Sequence, residues 1–370
     1  AELRHAMAFS CEPSYTSLRS WEQSRDFVEN INDFEKRIRS LSRGLLEVTE
    51  AMKETRVGHL GITEAITPYR PQPSDDMVPD EDSLQLHEHS LRPSSYRETV
   101  KVVQFIHQSV REFFNVHDGF SLLDSSLANH PVGKGHCVMI LTCLNYLALD
   151  ELQKAETATD TWFLARQYTV SQWDFYATNF PSLVLLKYVI YNMFEHVRSA
   201  EEDGFVPLVL LNRLSAPNDQ VWRRWRALFA MLYDKPRSFT TLLFYLCEQG
   251  LELCSEWLIH RSPADIHRLN WYPLLAAIRG SSEKIVRLLL DNHVDPEVRD
   301  RYGRTALLVA LQNENGTRHI PLLLSRHADV NARDYEKKTA LHYTATNLSG
   351  GMAGHMAELL LNNGAEVNPI

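Results

Sequence analysis

A few short clusters in this chain carry residue types that could do chemistry. Gly133-Lys134-Gly135 has the glycine and lysine of a phosphate-cradling loop, but Ala128 stands where the first glycine of Gly-x4-Gly-Lys-Ser/Thr belongs, and no hydroxyl follows Lys134. Such a loop grips phosphates through successive backbone N–H groups and uses the hydroxyl on the metal, so nucleotide hydrolysis is not expected here. His87-Glu88-His89 offers metal-binding side chains without a converging further ligand, and His59 and His107 do not complete it; the cluster reads as incidental polarity. Trp222-Arg223-Arg224-Trp225-Arg226 interleaves aromatic and basic residues as RNA sites do, but it reads better as an amphipathic helix with Trp225 inward and the arginines solvated or paired. Cys11, Cys137, Cys143, Cys247 and Cys254 are scattered and never spaced Cys-x-x-Cys, which fits reduced thiols and neither a disulfide framework nor a zinc site. HExxH, GxSxG and Cys-His signatures are missing from the sequence, so no catalytic residue, cofactor or metal is expected.

What remains are side chains suited to holding a protein. Trp271, Arg301, Tyr302, Arg304, Tyr335, Glu336 and Lys337 fall in three short polar turns, and aromatic and arginine residues are the usual anchors of interfaces. Trp271 has a second reading, as filler of a shortened loop.

The elements that must present these turns are repeats. Ala264-Asp265-Ile266, Val294-Asp295-Pro296, Ala328-Asp329-Val330 and Ala365-Glu366-Val367 recur at spacings of 30, 34 and 37 residues. Arg304-Thr305-Ala306-Leu307 and Lys338-Thr339-Ala340-Leu341-His342 follow the second and third phrases, and Pro273-Leu274 follows the first after a shorter loop. An earlier degenerate unit runs from Phe239 to Cys247, turns at Gln249-Gly250, and continues through Ile259. Each unit reads as a β-turn and two short helices that bury their apolar faces only by stacking on neighbours. Thr305 can cap a helix carrying Leu307, Leu308 and Leu311, Pro321 suits the start of the next, and Leu322-Leu323-Leu324 fills the seam. The fourth unit, with Thr339-Ala340-Leu341-His342, Gly354-His355, Leu359-Leu360-Leu361 and Asn363-Gly364-Ala365, closely resembles the ankyrin consensus. Leu308 departs from the family histidine. His293 and His327 stand at the helix end that Gly364 occupies in the last unit, where a left-handed residue is expected. Four repeats are expected across residues 237–370, with partner contact on the turn tips and inner helices.

Residues 32–48 read as a helix, capped by Asn32 or Asp33 and stopped at Gly44, followed by a strand at Leu45–Val48. A second strand, Val100–Ile106, leads to a capping box at Ser109–Glu112 and a further helix. This is winged-helix order with a short β-hairpin. Between the strands, residues 67–97 are expected to form a disordered wing loop, because Ser74–Ser90 holds six carboxylates and no Lys or Arg. Apolar stripes at Ile140, Leu144, Leu147, at Leu183, Leu186, Ile190, Phe194, Val197 after Pro181, and at Val221, Trp225, Leu228, Phe229, Leu232 then predict a helical connector. The fold class is mainly α, with three domains: 1–125, 126–236 and 237–370.

The phrases Glu2–Ser10, Ile38–Val48 and Val103–Phe113 resemble the region that follows the nucleotide-binding domain in fungal NACHT-type NOD-like receptors, and Phe180–Leu183 with Phe194-Glu195-His196 resembles the helical segment beyond it. Ankyrin repeats follow in many members. The resemblance implies a signalling ATPase whose switch domain lies upstream and whose repeats sense a ligand.

The formal net charge of -9 argues against broad nucleic-acid or anionic-membrane binding, and no apolar run reaches membrane-spanning length. The chain opens Ala1-Glu2-Leu3 without an initiator Met or leader and stops at Ile370 where a further repeat is expected, so both ends read as cuts in a longer cytoplasmic polypeptide. The leading expectation is a non-enzymatic, protein-binding sensor region of such a receptor. A freestanding ankyrin adaptor and a winged-helix nucleic-acid binder are the alternatives.

Overall fold

The computed structural model describes residues 15–24, 27–28, 30–41, 46–58, 61–68, 95–105, 129–153, 180, 183–215, 220–232, 241–261, 272–312 and 314–367. The elements begin with α1 (Leu18–Glu22), α2 (Ile31–Leu41), β1 (Leu46–Gly58), β2 (Gly61–Pro68) and β3 (Ser95–Phe105). Then come α3 (Pro131–Leu147), α4 (Leu186–Glu202), α5 (Leu208–Leu214) and α6 (Gln220–Leu232). Helix pairs follow: α7 (Leu242–Glu248) with α8 (Glu252–Arg261), α9 (Tyr272–Arg279) with α10 (Glu283–Asp291), α11 (Ala306–Ala310) with α12 (Ile320–Ser325), and α13 (Ala340–Asn347) with α14 (Gly350–Asn362). By packing, residues 27–128 form one compact unit, and residues 1–26 with 129–370 form another.

In the first of these, α2 lies against β1, with Ile38 buried on its apolar stripe. Asn30, one residue before the helix, does the capping expected of Asn32 or Asp33: its Oδ1 accepts from the Asn32 N–H at 2.8 Å. In place of a short β-hairpin there is a three-stranded antiparallel sheet in the order β2-β1-β3. β1 is its central strand, pairing from Ala51 opposite Pro68 to Gly58 opposite Gly61 on one side, and from Leu46 opposite Phe105 to Arg56 opposite Ser95 on the other. One helix and three long strands are not the helix-rich plan of a winged helix, so that expectation is not carried by the described residues. Residues 67–68 and 95–97, at the edges of the expected wing loop, are strand. The rest of that loop, the helix expected at Ser109–Phe114, and His59, His87–His89 and His107 lie outside the described residues.

In the larger unit α3 and α4 pack as an antiparallel core, with Ile140, Leu144, Leu147, Leu186, Ile190, Phe194 and Val197 buried. The α4 helix starts at Leu186, later than the proline-led start expected, after buried Leu183 and Leu185. Phe194 of α4, Trp225 of α6 and Tyr245 of α7 join connector and repeats in one aromatic cluster; the Phe194 ring centroid is 4.8 Å from that of Trp225 and 4.6 Å from that of Tyr245. Trp222 stacks on Trp225 at 5.4 Å. Arg224 is buried, donating to the Leu147 and Leu149 carbonyls at and just after the end of α3, where the helix dipole favours a cation.

The last turn of α4 reaches three further helix ends. The Glu201 Oε1 accepts from the Cys254 N–H in the first turn of α8 at 2.7 Å, the Asp203 Oδ2 accepts from Gly133 N–H in the first turn of α3 at 2.7 Å, and the Arg198 guanidinium donates to the Gln249 carbonyl that closes α7 at 3.2 Å. Burial pushes the Glu201 pKa up, although backbone N–H groups of Cys254, Leu253 and Glu252 pull against it.

Helix pairs α7 to α14 stack as a solenoid. His293 and His327 adopt φ of 60° and 64° at the helix ends where Gly364 has 90°, as the spacing predicts. Pro321 sits in the first turn of α12. Thr305 occupies the N-cap of α11 with extended backbone, but its buried Oγ1 has no hydrogen-bond partner, so the expected cap bond is not made. Thr339 does engage: its N–H donates to the His342 Nδ1 at 3.3 Å and its hydroxyl lies 2.8 Å from the same nitrogen. Leu322 and Leu323 fill the seam while Leu324 is half-buried, and in α14 only Leu360 of its leucine triplet is buried, Leu361 being 45% exposed. Hydrogen bonds tie neighbouring units: Ser282 to Glu252, the Asp329 N–H to Glu297, and the Glu366 N–H to Asn331.

His319, at the start of α12, is fully buried with both ring nitrogens unpartnered, and burial lowers its pKa from 6.5 to about 4. The unfolded chain therefore takes up a proton between pH 6.5 and 4 that the fold refuses, so this contribution is complete above pH 6.5 and lost as pH falls toward 4. His319→Leu should shrink the drop in melting temperature between neutral and acid pH; an unchanged drop would show that the imidazole is not held neutral. Leu323→Asp should unfold the solenoid by placing a charge in its seam, whereas Leu361→Asp should shift the thermal melt by no more than a few degrees. Equal losses for the two would refute the packing described.

Candidate protein-interaction surface

The two turns that follow α10 and α12 are built on aspartates. The Asp300 Oδ1 accepts from the N–H groups of Tyr302 at 2.9 Å and Arg304 at 3.1 Å, and the Asp334 Oδ1 accepts from those of Glu336 at 2.9 Å and Lys338 at 2.8 Å. A short side-chain acceptor that bonds its own backbone two and four residues on closes the turn from inside. Both aspartates are therefore buried, and the tip residues just after them face out: Tyr302 is 48% exposed and Tyr335 73%.

Of the residues expected to contact a partner, Arg301, Tyr302, Tyr335, Glu336 and Lys337 are exposed on these tips, and Trp271 lies outside the described residues. Arg304 is only partly available. Its Nε and Nη2 donate to the Asp300 Oδ2 at 2.8 and 2.5 Å, while its guanidinium lies 4.5 Å from the Tyr302 ring centroid. Arg301 covers the same ring at 4.8 Å, so Tyr302 is flanked by two guanidinium groups that limit its rotation. Burial pushes the Asp300 carboxyl up, but donation from Arg304 and from the Tyr302 N–H outweighs it and holds the pKa below the usual aspartate value.

The two tips are also joined to each other. The Tyr335 N–H donates to the Tyr302 carbonyl at 3.1 Å, and the Arg299 Nη1 donates to the carbonyls of Gly303 at 2.7 Å and Arg333 at 2.6 Å. A Cβ at Gly303 would stand 2.5 Å from the Tyr335 ring, and its φ of 78° is left-handed, so glycine is favoured there. The equivalent place one unit on is Lys337, at φ 64°. A non-glycine residue there costs about 1 kcal/mol or more.

The inner helices contribute less than expected. Residues 273–278 of α9 and all of α11 are buried, leaving Arg279 exposed; α13 offers His342, Ala345, Thr346 and Asn347. Sequence reasoning also missed a polar pair in the connector, where the His136 Nδ1 lies 2.9 Å from the His196 Nδ1 and the Tyr188 hydroxyl lies 2.5 Å from the His196 Nε2. Burial and the neighbouring His136 lower the His196 pKa to about 4. Among the described residues no group of three or more His, Cys, Asp or Glu is placed to hold a metal, and no helix is long and apolar enough to cross a membrane. Gly133-Lys134-Gly135 is the first turn of α3, its Gly133 N–H already engaged by Asp203. Cys143, Cys247 and Cys254 are buried free thiols.

Residues 243–334 match the ankyrin-repeat family in three copies. No curated protein matches the chain. Ankyrin repeats are protein–protein interaction modules, which the tips at Asp300 and Asp334 fit. The pair α13 and α14 continues the same helix–turn–helix plan beyond the matched residues.

Asp300→Ala should lower unfolding free energy by about 1.5–3 kcal/mol, since it removes a charged acceptor of several hydrogen bonds and leaves Arg304 unpaired. Glu336→Ala, at an exposed ion pair with Lys338, should stay within about 0.5 kcal/mol. Urea unfolding midpoints check both, and equal values would overturn the inward role given to Asp300.

Proposed function

We propose that this chain is the non-enzymatic sensing and regulatory region of a NACHT–ankyrin receptor-like signalling protein in the cytoplasm, whose repeats hold a protein ligand on their turn tips. Residues 1–125, 126–236 and 237–370 then act as a switch-facing segment, a helical relay and a sensor. The observation that carries the reading is the row of exposed tip residues, Arg301, Tyr302, Tyr335, Glu336 and Lys337, with Arg304 behind them. Supporting it, α4 touches both the connector core and the first repeat through Phe194, Arg198 and Glu201, so a displacement of the array has a direct mechanical path into the connector.

An ankyrin adaptor without a switch shares this surface. The coding sequence upstream of Ala1 separates the two: a Gly-x4-Gly-Lys-Ser/Thr motif there supports the receptor, and an initiator Met immediately before Ala1 refutes it. The double variant Tyr302→Ala, Tyr335→Ala should lose protein capture from cell extract by tenfold or more, about 1.4 kcal/mol, because aromatic anchors dominate interface energetics. Its melting temperature should match that of the parent, since both rings are exposed. Undiminished capture, or a collapsed melt, would count against the reading.

A further inference from the structure

The tips sort their charges by sign. Asp300 and Asp334 are turned inward and saturated by N–H donors, by Arg304 and by the Tyr343 hydroxyl, which donates to the Asp334 Oδ2 at 2.8 Å. Asp295 and Asp329, at the base of the loops, accept from the N–H groups of Glu297 and Asn331, and Glu297 accepts from the Asp329 N–H of the next unit. Glu336 is the exposed acid between Asp334 and Thr339, and it is paired with Lys338 at 2.7 Å. The basic groups are arranged the other way. Arg301 and Lys337 are exposed and make no ion pair among the described residues; the contact Arg301 does make, with the Tyr302 ring, does not neutralise it. Lys337 keeps a cationic side chain at a left-handed position that the preceding unit gives to Gly303. All this stands in a chain whose formal net charge is -9, so the positive tips are a local arrangement and not a consequence of composition.

We propose that the partner of the tip row is an acidic peptide segment, lying extended across Tyr302 and Tyr335 with Asp or Glu carboxylates on Arg301 and Lys337. This rests on the protein-binding reading above and names its ligand chemistry. Stacked helices stand roughly 8–10 Å apart, which about three residues of extended chain at ~3.3 Å each span, so the matching pattern is acid-x-x-acid. A guanidinium beside a tyrosine ring keeps N–H groups free for a carboxylate, and the neighbouring ring accepts the apolar side of the peptide. A long polyanion such as a nucleic acid would be repelled by the negative remainder of the chain, whereas a short acidic segment meets only the tips.

The test uses the full chain and a labelled peptide of about twelve residues with glutamate at every third position, followed by fluorescence anisotropy. Binding should weaken as salt rises, vanish when the glutamates are replaced by glutamine, fall at least about fivefold for Arg301→Gln and further for Arg301→Glu, and persist or tighten for Glu336→Gln. Failure of the glutamate peptide to bind, equal binding by the Arg301→Glu protein, or equal competition from a single-stranded oligonucleotide of the same length would overturn the proposal. If the Tyr302, Tyr335 double variant loses protein capture while the acidic peptide does not bind the parent, the protein-binding reading stands and the acidic-partner inference falls.

Discussion

Helix ends are costly to bury, and the larger unit is organised around the one turn that satisfies several of them. An α-helix leaves its first N–H groups and last carbonyls without internal partners. The C-terminal turn of α4 supplies Glu201 to the start of α8, Asp203 to the start of α3 and Arg198 to the end of α7. Each carries the sign that the helix dipole favours. The aromatic contacts of Phe194 with Trp225 and Tyr245 then hold the same helix against α6 and α7. Apolar packing here is non-directional, whereas the caps fix angle and register, so the two together place the first repeat on the connector in one orientation.

From that anchored start, the turns at Asp300 and Asp334 repeat one device. An inward aspartate closes the turn and a left-handed residue ends the outer helix, with a hydrogen bond crossing to the next unit. The chemistry presented to solvent is set by what the aspartate leaves outside, which at Asp300 and Asp334 means tyrosine and basic side chains. Structure and recognition are thus divided within each turn between residues only one or two positions apart.

Much of the array was legible because its information is local. Phrase spacing located the turns, and the place of His293 and His327 relative to the leucine runs foretold their left-handed backbone. Legibility failed where partners are distant or a hydroxyl has a choice. Cys254 and Gly133 find Glu201 and Asp203 across 53 and 70 residues, separations no spacing rule spans. Thr305 reads as a cap but leaves its hydroxyl unpartnered, while Asn30, outside the expected window, makes the bond. β2 was missed although Ile62, Thr63, Ile66 and Thr67 are β-branched, because it is short and its pairing is supplied by β1. Arg304 looked like a contact residue because its type is right; that much of it belongs to Asp300 depends on turn geometry. Arg224 reads as solvated or paired, and the fold settles it as buried and bonded to the carbonyls of Leu147 and Leu149.

The clamp of α4 on α7 and α8 has a consequence for stiffness. Units beyond the first pack on their neighbours, so a load on the array is passed along it unit by unit to the clamp. A load applied at the Asp334 turn bends the array about each intervening seam, and the bending moment is greatest at the clamp, where the half-buried Glu201 accepts from the Cys254 N–H. Distance from the fixed end becomes leverage, and the residues that bear the torque are different from those that touch the load.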